Sequence, residues 1–203
     1  MNNLLTQIEK LVPQCHGWCS VPKAFALASS VLALRPALSV EIGVFAGRSL
    51  FPLALAHKFI GKGQVIGIDP WSAEISAIDQ PVEHKEWWGS LNHHEIYEQF
   101  CQMTQQLGLS NVVRVWKKAS DDVKPPKDID VLHIDGSHCE QAVRDARRFA
   151  VNVRVGGILC LDDLTNPTKE WAKHVGQAAD FCKSIGFVEL YRVDTSAFYQ
   201  RVK

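Results

Sequence analysis

No charge of either sign predominates in this chain of 203 residues, since lysine plus arginine and aspartate plus glutamate both number 22. The basic residues are scattered rather than clustered, so no overall field recruits nucleic acid and a polynucleotide partner is not expected. No apolar stretch approaches the length that spans a bilayer, and the first residues lack the basic start, apolar run and small-residue cleavage site of a secretory signal. A soluble, cytoplasmic protein with no membrane partner is the expectation. The six cysteines (Cys15, Cys19, Cys101, Cys139, Cys160 and Cys182) lack the dense spacing of a disulfide scaffold and read as reduced thiols. Cys15-His16-Gly17-Trp18-Cys19 has the form of half a zinc site, but no second Cys/His pair at ligand spacing follows it. Repeats and low-complexity tracts are also missing, and Pro125-Pro126 only punctuates a loop.

What is present is an alternation of short apolar runs with longer amphipathic segments, the pattern of a mostly parallel sheet covered by helices on both faces. The length suits a single α/β domain over residues 1–203 with a substantial core. Strands are expected at residues 39–44, 64–69, 112–117, 129–135, 157–162, 187–193 and 197–202. Helices are expected near residues 3–12, 22–33, 48–59, 93–107, 139–151 and 168–185, with stop signals at Gly61, Gly108 and Gly186. Only Asp194-Thr195-Ser196 separates the last two strands, too little for a crossover helix, so these must form an antiparallel hairpin.

The first apolar strand runs into Glu41-Ile42-Gly43-Val44-Phe45-Ala46-Gly47-Arg48-Ser49, a glycine-punctuated turn before a helix. Gly43 and Gly47 let backbone approach a ligand with no Cβ in the way, and the helix's first N–H groups face the same spot. Glu41, at the strand's end, is placed to accept hydrogen bonds from a ribose or an amine. A dinucleotide fingerprint needs G-x-G-x-x-G, whereas this turn is E-x-G-x-x-x-G with no third glycine in register. A dinucleotide, and with it a nicotinamide oxidoreductase, is thereby disfavoured. The turn resembles the first cofactor motif of the class I S-adenosylmethionine-dependent methyltransferases. That resemblance implies a Rossmann-like, seven-stranded mixed sheet in the order 3-2-1-4-5-7-6 with its last strand antiparallel. It also implies S-adenosylmethionine as cofactor, held by Glu41, Gly43, Phe45, Gly47, Ser49, Asp69, Pro70, Ser120, Asp121 and Asp135. Ser120 and Asp121 fall where the family holds the adenine edge.

Asp69 carries its own argument. It ends the second strand about twenty residues beyond the turn, the interval at which such folds set a carboxylate on ribose hydroxyls; the alternative is a cap or turn residue before Pro70. Residues 71–92 then break the regular alternation, with Trp71, Trp87, Trp88 and His84 and with His93 and His94 just beyond. Open α/β sheets bind ligands outside the carboxyl ends of their strands, so this insertion is expected as a lid or substrate wall. Equally, the tryptophans could pack the insertion onto the body or onto a second copy in a homodimer. The N-terminal residues 1–36 would form a helical cover on the other side.

Two more strands end in acids. The fourth finishes as His133-Ile134-Asp135-Gly136-Ser137-His138 and the fifth as Leu159-Cys160-Leu161-Asp162-Asp163. Adjacent parallel ends would bring Asp135, Asp162 and Asp163 together, and three carboxylates repel one another unless a cation neutralises them. A hard divalent ion, usually magnesium, answers that need; otherwise Asp162 or Asp163 caps a helix and Asp135 bonds a backbone turn. The triple resembles that of the metal-dependent O-methyltransferases of the catechol type and their relatives acting on macrolide sugars. In catechol enzymes the ligands are an Asp ending the fourth strand and an Asp-Asn pair ending the fifth; here Asp163 stands in the last place. Those enzymes also carry a lysine base three residues after the fourth-strand Asp, where this chain has His138. Imidazole titrates near neutrality, so His138 can take the proton of a hydroxyl acceptor, or else cap the next helix or touch cofactor. His133 reads as a packed structural histidine.

Together these features point to methyl transfer from S-adenosylmethionine to a hydroxyl of a small molecule, with magnesium, His138 and Asp135 at the reacting centre. The alternatives are a metal-independent methyltransferase with a nitrogen or carbon acceptor, and a cofactor-binding protein without transfer activity.

Overall fold

In the computed structural model, which describes residues 2–78, 80, 82–164 and 170–203, seven strands form one sheet in the order β3-β2-β1-β4-β5-β7-β6. They are β1 (Leu38–Ile42), β2 (Gln64–Asp69), β3 (Val113–Lys117), β4 (Ile129–Ile134), β5 (Val153–Leu161), β6 (Phe187–Val193) and β7 (Ser196–Arg201). The first five run parallel, while β7 pairs antiparallel with both β5 and β6. The expected order and closing hairpin are both present. Strand β5 starts four residues before its expected first residue, because its pairing with β4 shifts register between Ile129 and Val131, and the irregular Gly156-Gly157 stretch had masked the strand pattern. Strand β1 ends at Ile42, before the expected Val44, since the chain turns at Gly43.

On one face lie α1 (Asn2–Leu11), α2 (Val21–Leu34), α3 (Leu50–Ile60) and α6 (His93–Gln106); on the other lie α7 (Glu140–Phe149) and α8 (Glu170–Ser184). Helices α4 (Ala73–Ser76) and α5 (Val82–Ser90) belong to the insertion. The expected start of the last helix at residues 168–169 lies outside the described residues.

Helix α2 shows how sequence fixes place. Ser20 caps it by accepting from the Lys23 N–H at 3.1 Å, and Pro22 in the first turn has no N–H to satisfy. Beyond Lys23 it holds no other charged side chain, so it can be buried on nearly every side between the sheet and α1. Strand alternation then decides what α2 meets. Val40, Leu132 and Leu159 face the α7–α8 core, which leaves Glu41, His133 and Cys160, in register on β1, β4 and β5, pointing toward α2. A fully buried polar rung thus runs across three central strands just below their carboxyl ends.

Candidate active site

The carboxyl ends of β1, β2, β4 and β5 open into a cavity of about 1100 Å³, at or above the upper end of the roughly 300–1,000 Å³ usual for a small-molecule site. Its walls come from the glycine turn, the loops after β2 to β5, the loop before α2 and the insertion. Among the expected residues, Gly43, Phe45, Ser49, Asp69, Pro70, Ser120, Asp121, Asp135, His138, Asp162 and Asp163 line it, while Glu41 and Gly47 do not.

Glu41 lies beneath the turn. One carboxylate oxygen accepts from Ser49 Oγ at 2.9 Å and the other meets His133 Nδ1 at 2.9 Å, with no exposed surface on either partner of that ion pair. A ribose or amine has no path to it, because its strand neighbour His133 satisfies it from the side. At both glycines a side chain would run into the protein itself. At Gly43 (φ +85°) a Cβ would come within 2.2 Å of the Asp135 carbonyl oxygen, and at Gly47 (φ +84°) within 2.8 Å of the rings of Phe51 and Phe100. Both positions combine a left-handed backbone with a blocked Cβ.

Asp69 ties the turn to β2. Its Oδ2 accepts from the N–H groups of Val44 and Phe45, both at 2.9 Å, and Oδ1 from that of Trp71 at 2.7 Å. Burial raises its pKa, against which these three bonds pull downward. An ionised carboxylate has about four acceptor positions, so these bonds leave one over on a residue that lines the cavity. Ser120 accepts from Gln141 Nε2 at 3.0 Å, and Asp121 is paired with Arg144 at 3.4 Å and Arg148 at 3.3 Å.

The three acidic strand ends part company. Asp135 and Asp162 converge, but the cation between them belongs to the protein: Lys23 Nζ lies 2.9 Å from Asp135 Oδ2 and is also ion-paired with Asp162 Oδ2. The other oxygen of Asp162 accepts from Ser196 Oγ and Thr195 Oγ1. Asp163, in a left-handed conformation (φ +56°), turns away and meets His138 Nε2 at 2.9 Å. Burial, then the charge of Asp162, pushes Asp135 up to about 7, although Lys23 and His133 oppose the rise. For Asp162, burial raises the pKa, but Lys23, the hydrogen bond from Asp135 and the charge of His133 together outweigh it and hold the group well below the usual carboxylate range. In His138, burial lowers the pKa, and the hydrogen bond and charge of Asp163 more than reverse it, leaving a net rise.

Magnesium does not fit this arrangement. The donor atoms of His133, Asp135 and Asp162 lie within 4.8 Å of one another, as a chelating set would, yet a lysine ammonium is bonded to both carboxylates. Magnesium also requires near-octahedral oxygen ligands and keeps several waters, for which the ammonium leaves no place. The expected ligand triple Asp135, Asp162 and Asp163 is corrected accordingly: two members hold Lys23 and the third holds His138. Lys23 is the functional residue that the strand-end reasoning missed. Its signal was that it is the lone charge in an otherwise apolar helix.

The insertion contributes unequally. Trp71 is buried against Tyr97 and Phe100 and donates from Nε1 to the Phe45 carbonyl at 2.8 Å. Trp87 and Trp88 instead line the cavity, where Trp18 stacks on Phe45 and both tryptophans meet it edge-on. Arg48 fixes the loop bearing Trp18 by donating to the carbonyls of Cys15, Gly17 and Cys19. All six cysteines are free.

Compared with known proteins, residues 40–164 match a methyltransferase domain family. The chain belongs to that family. Solved methyltransferase structures share the fold at low sequence identity. The O-methyltransferase TomG from Streptomyces achromogenes, involved in tomaymycin synthesis and solved with S-adenosylmethionine, is 15% identical, with 98% of this chain and 90% of that one covered at a TM-score of 0.65. An O-methyltransferase from Bacillus cereus in complex with S-adenosylhomocysteine is 14% identical over 98% and 90%, at a TM-score of 0.60. The Podospora anserina methyltransferase PaMTH1, bound to S-adenosylhomocysteine, is 11% identical over 99% and 88%, at 0.67. No curated protein matches. Among the described residues of this methyltransferase, no helix is long and apolar enough to cross a membrane.

Proposed function

We propose that this methyltransferase moves the methyl group of S-adenosylmethionine to a hydroxyl of a small molecule, with His138 as general base. The observation that carries the proposal is the His138–Asp163 pair, 2.9 Å apart, in the wall of the cavity that also contains the glycine turn and Asp69. Bound S-adenosylmethionine and S-adenosylhomocysteine in the solved structures of similar fold support the choice of cofactor. The reading assigns the ribose to the remaining acceptor position of Asp69 and the adenine edge to Ser120 and Asp121.

Asp163 sets its carboxylate 2.9 Å from Nε2 of the imidazole, where its charge stabilises the protonated ring once the proton has been taken. In the transfer step the acceptor oxygen forms a bond to the methyl carbon while the carbon–sulfur bond breaks. Its electron pair goes to sulfur, leaving S-adenosylhomocysteine, and the hydroxyl proton goes to His138. A group held in line gains from orientation as well as from proton removal. No divalent metal enters this reading, because Lys23 takes the cation position between the strand ends.

Titration calorimetry with S-adenosylmethionine and S-adenosylhomocysteine tests the cofactor half, on the wild type and on Asp69→Ala, in which binding should be lost. A labelled-methyl assay against catechols and sugar diols tests the rest. Absence of binding to the wild type would sink the whole proposal. Binding without transfer to any hydroxyl, alongside transfer to amines, would replace the oxygen acceptor with nitrogen; binding with no transfer at all would favour a cofactor-binding protein.

A further inference from the structure

Of the groups around the cavity, Lys23 is the most unusual. Its side chain is 4% exposed, deep enough that an unpaired ammonium would be strongly disfavoured, and yet it belongs to the cavity wall. The surroundings are built to keep it there. Ser20, the cap of its helix, hydrogen-bonds Asp194 in the β6–β7 turn, and Ser196 from the same hairpin bonds the Asp162 carboxylate that Lys23 holds. Below it, His133 is pinned to Glu41 and presents Nε2 to Asp135 at 3.6 Å, without a hydrogen bond. Asp135 and Asp162 face a nitrogen cation from the protein itself. The charge that these two strand-end carboxylates would have demanded from a metal is supplied without one.

We infer that Lys23 is the resident cation of the acceptor site, occupying the place of a divalent metal and excluding one from it. This deepens the function proposed above and rests on that reading for the word acceptor, though not for the cation. An ammonium has three donors and no acceptor, and two of the three are engaged by Asp135 and Asp162. The third is available to an oxygen in the cavity, so Lys23 holds a ligand hydroxyl as a metal would while keeping all of its own protons. It differs from a metal in three ways: it is covalently tethered, it survives chelation, and it offers a single donor direction rather than several coordination positions.

The test uses Mn2+ as the probe, followed by electron paramagnetic resonance and calorimetry on wild type, Lys23→Met and the double variant Lys23→Met/Asp162→Asn. The wild type should bind no Mn2+ at the cluster. Lys23→Met, which leaves Asp135 and Asp162 without their cation, should bind one Mn2+ at least about tenfold more tightly than the wild type does, and the double variant should lose that ion. Lys23→Gln, which retains a hydrogen-bond donor, provides a second variant should the methionine chain fail to fold; its melting temperature should rise on adding Mn2+. Stoichiometric Mn2+ binding by the wild type that Asp162→Asn abolishes would overturn the inference. So would failure of both lysine variants to bind the ion, since the position would then not be a metal's. S-adenosylhomocysteine titrated into the same wild-type sample separates the two readings: its failure to bind would remove the proposed function and leave the Mn2+ result standing.

Discussion

Two sets of acidic side chains stand at the ends of neighbouring strands, and the fold treats them oppositely. At β1 and β2, Glu41 and Asp69 are engaged by the protein's own donors: Ser49 and His133 for one, three backbone N–H groups for the other. At β4 and β5, Asp135, Asp162 and Asp163 face the cavity and hold side chains, Lys23 and His138, that can themselves reach a ligand. The first set shapes the turn and the second arms the cavity. A carboxylate at a strand end is thus not a ligand by position alone; what decides is whether the local backbone and the next strand already supply its donors.

That contrast predicts that damage at Glu41 is felt as stability and damage at β4–β5 as activity, with Asp69, which both ties the turn and lines the cavity, between the two. The largest effect is expected from His138→Ala. Methyl transfer should fall by about 10²–10⁴-fold, with the melting temperature and S-adenosylhomocysteine affinity unchanged; full activity in that variant would remove His138 from the reaction. Next comes Glu41→Ala, which leaves Ser49 Oγ and His133 Nδ1 buried without their partner and should cost about 1–3 kcal/mol for each group in urea unfolding. If the variant instead kept its stability and lost cofactor binding, the contrast would be broken at its firmest point.

Acidity sharpens the same division. His138 works as a base only when neutral, and Asp163 raises its pKa, so the rate should climb with pH through a midpoint above the ordinary imidazole value. Asp163→Asn should move that midpoint down, as a pH–rate profile would reveal. A smaller effect is expected at the opposite end of the sheet. There Asp130 accepts from the N–H groups of Ala37 and Leu38 and pairs with Arg154. Burial raises its pKa, but the bond to Arg154 and the two backbone bonds more than reverse this and leave it lowered. A lowered folded-state pKa gives stability that is present above the ordinary Asp value and is lost as pH falls through the folded one. Wild type should therefore lose more stability than Asp130→Asn between neutral and acid pH, as urea midpoints would measure; equal losses would refute it.

Much of this was legible in the residues. Parallel order, closing hairpin and acidic strand ends follow from apolar runs, turn residues and one connection too short for a helix. Glu41 was misread because its satisfaction depends on His133, and only strand order and register put those two side by side. Asp163 was misread because adjacency in sequence suggested that it would share the task of Asp162, whereas a left-handed backbone at Asp163 separates their directions. Lys23 is not legible from strand ends, since its place comes from α2 crossing above the polar rung. The resemblance to catechol-type enzymes supplied a metal where this chain's own ammonium stands.

The carboxylate of Asp162 is where distant parts of the chain meet: Lys23 reaches it from 139 residues earlier and Ser196 from 34 residues later. Contacts that join such separated segments form late, because the loops between them must close first. The charged centre of the cavity therefore exists only once both intervening loops are closed, and a cut in either loop would reach it without touching any of its residues.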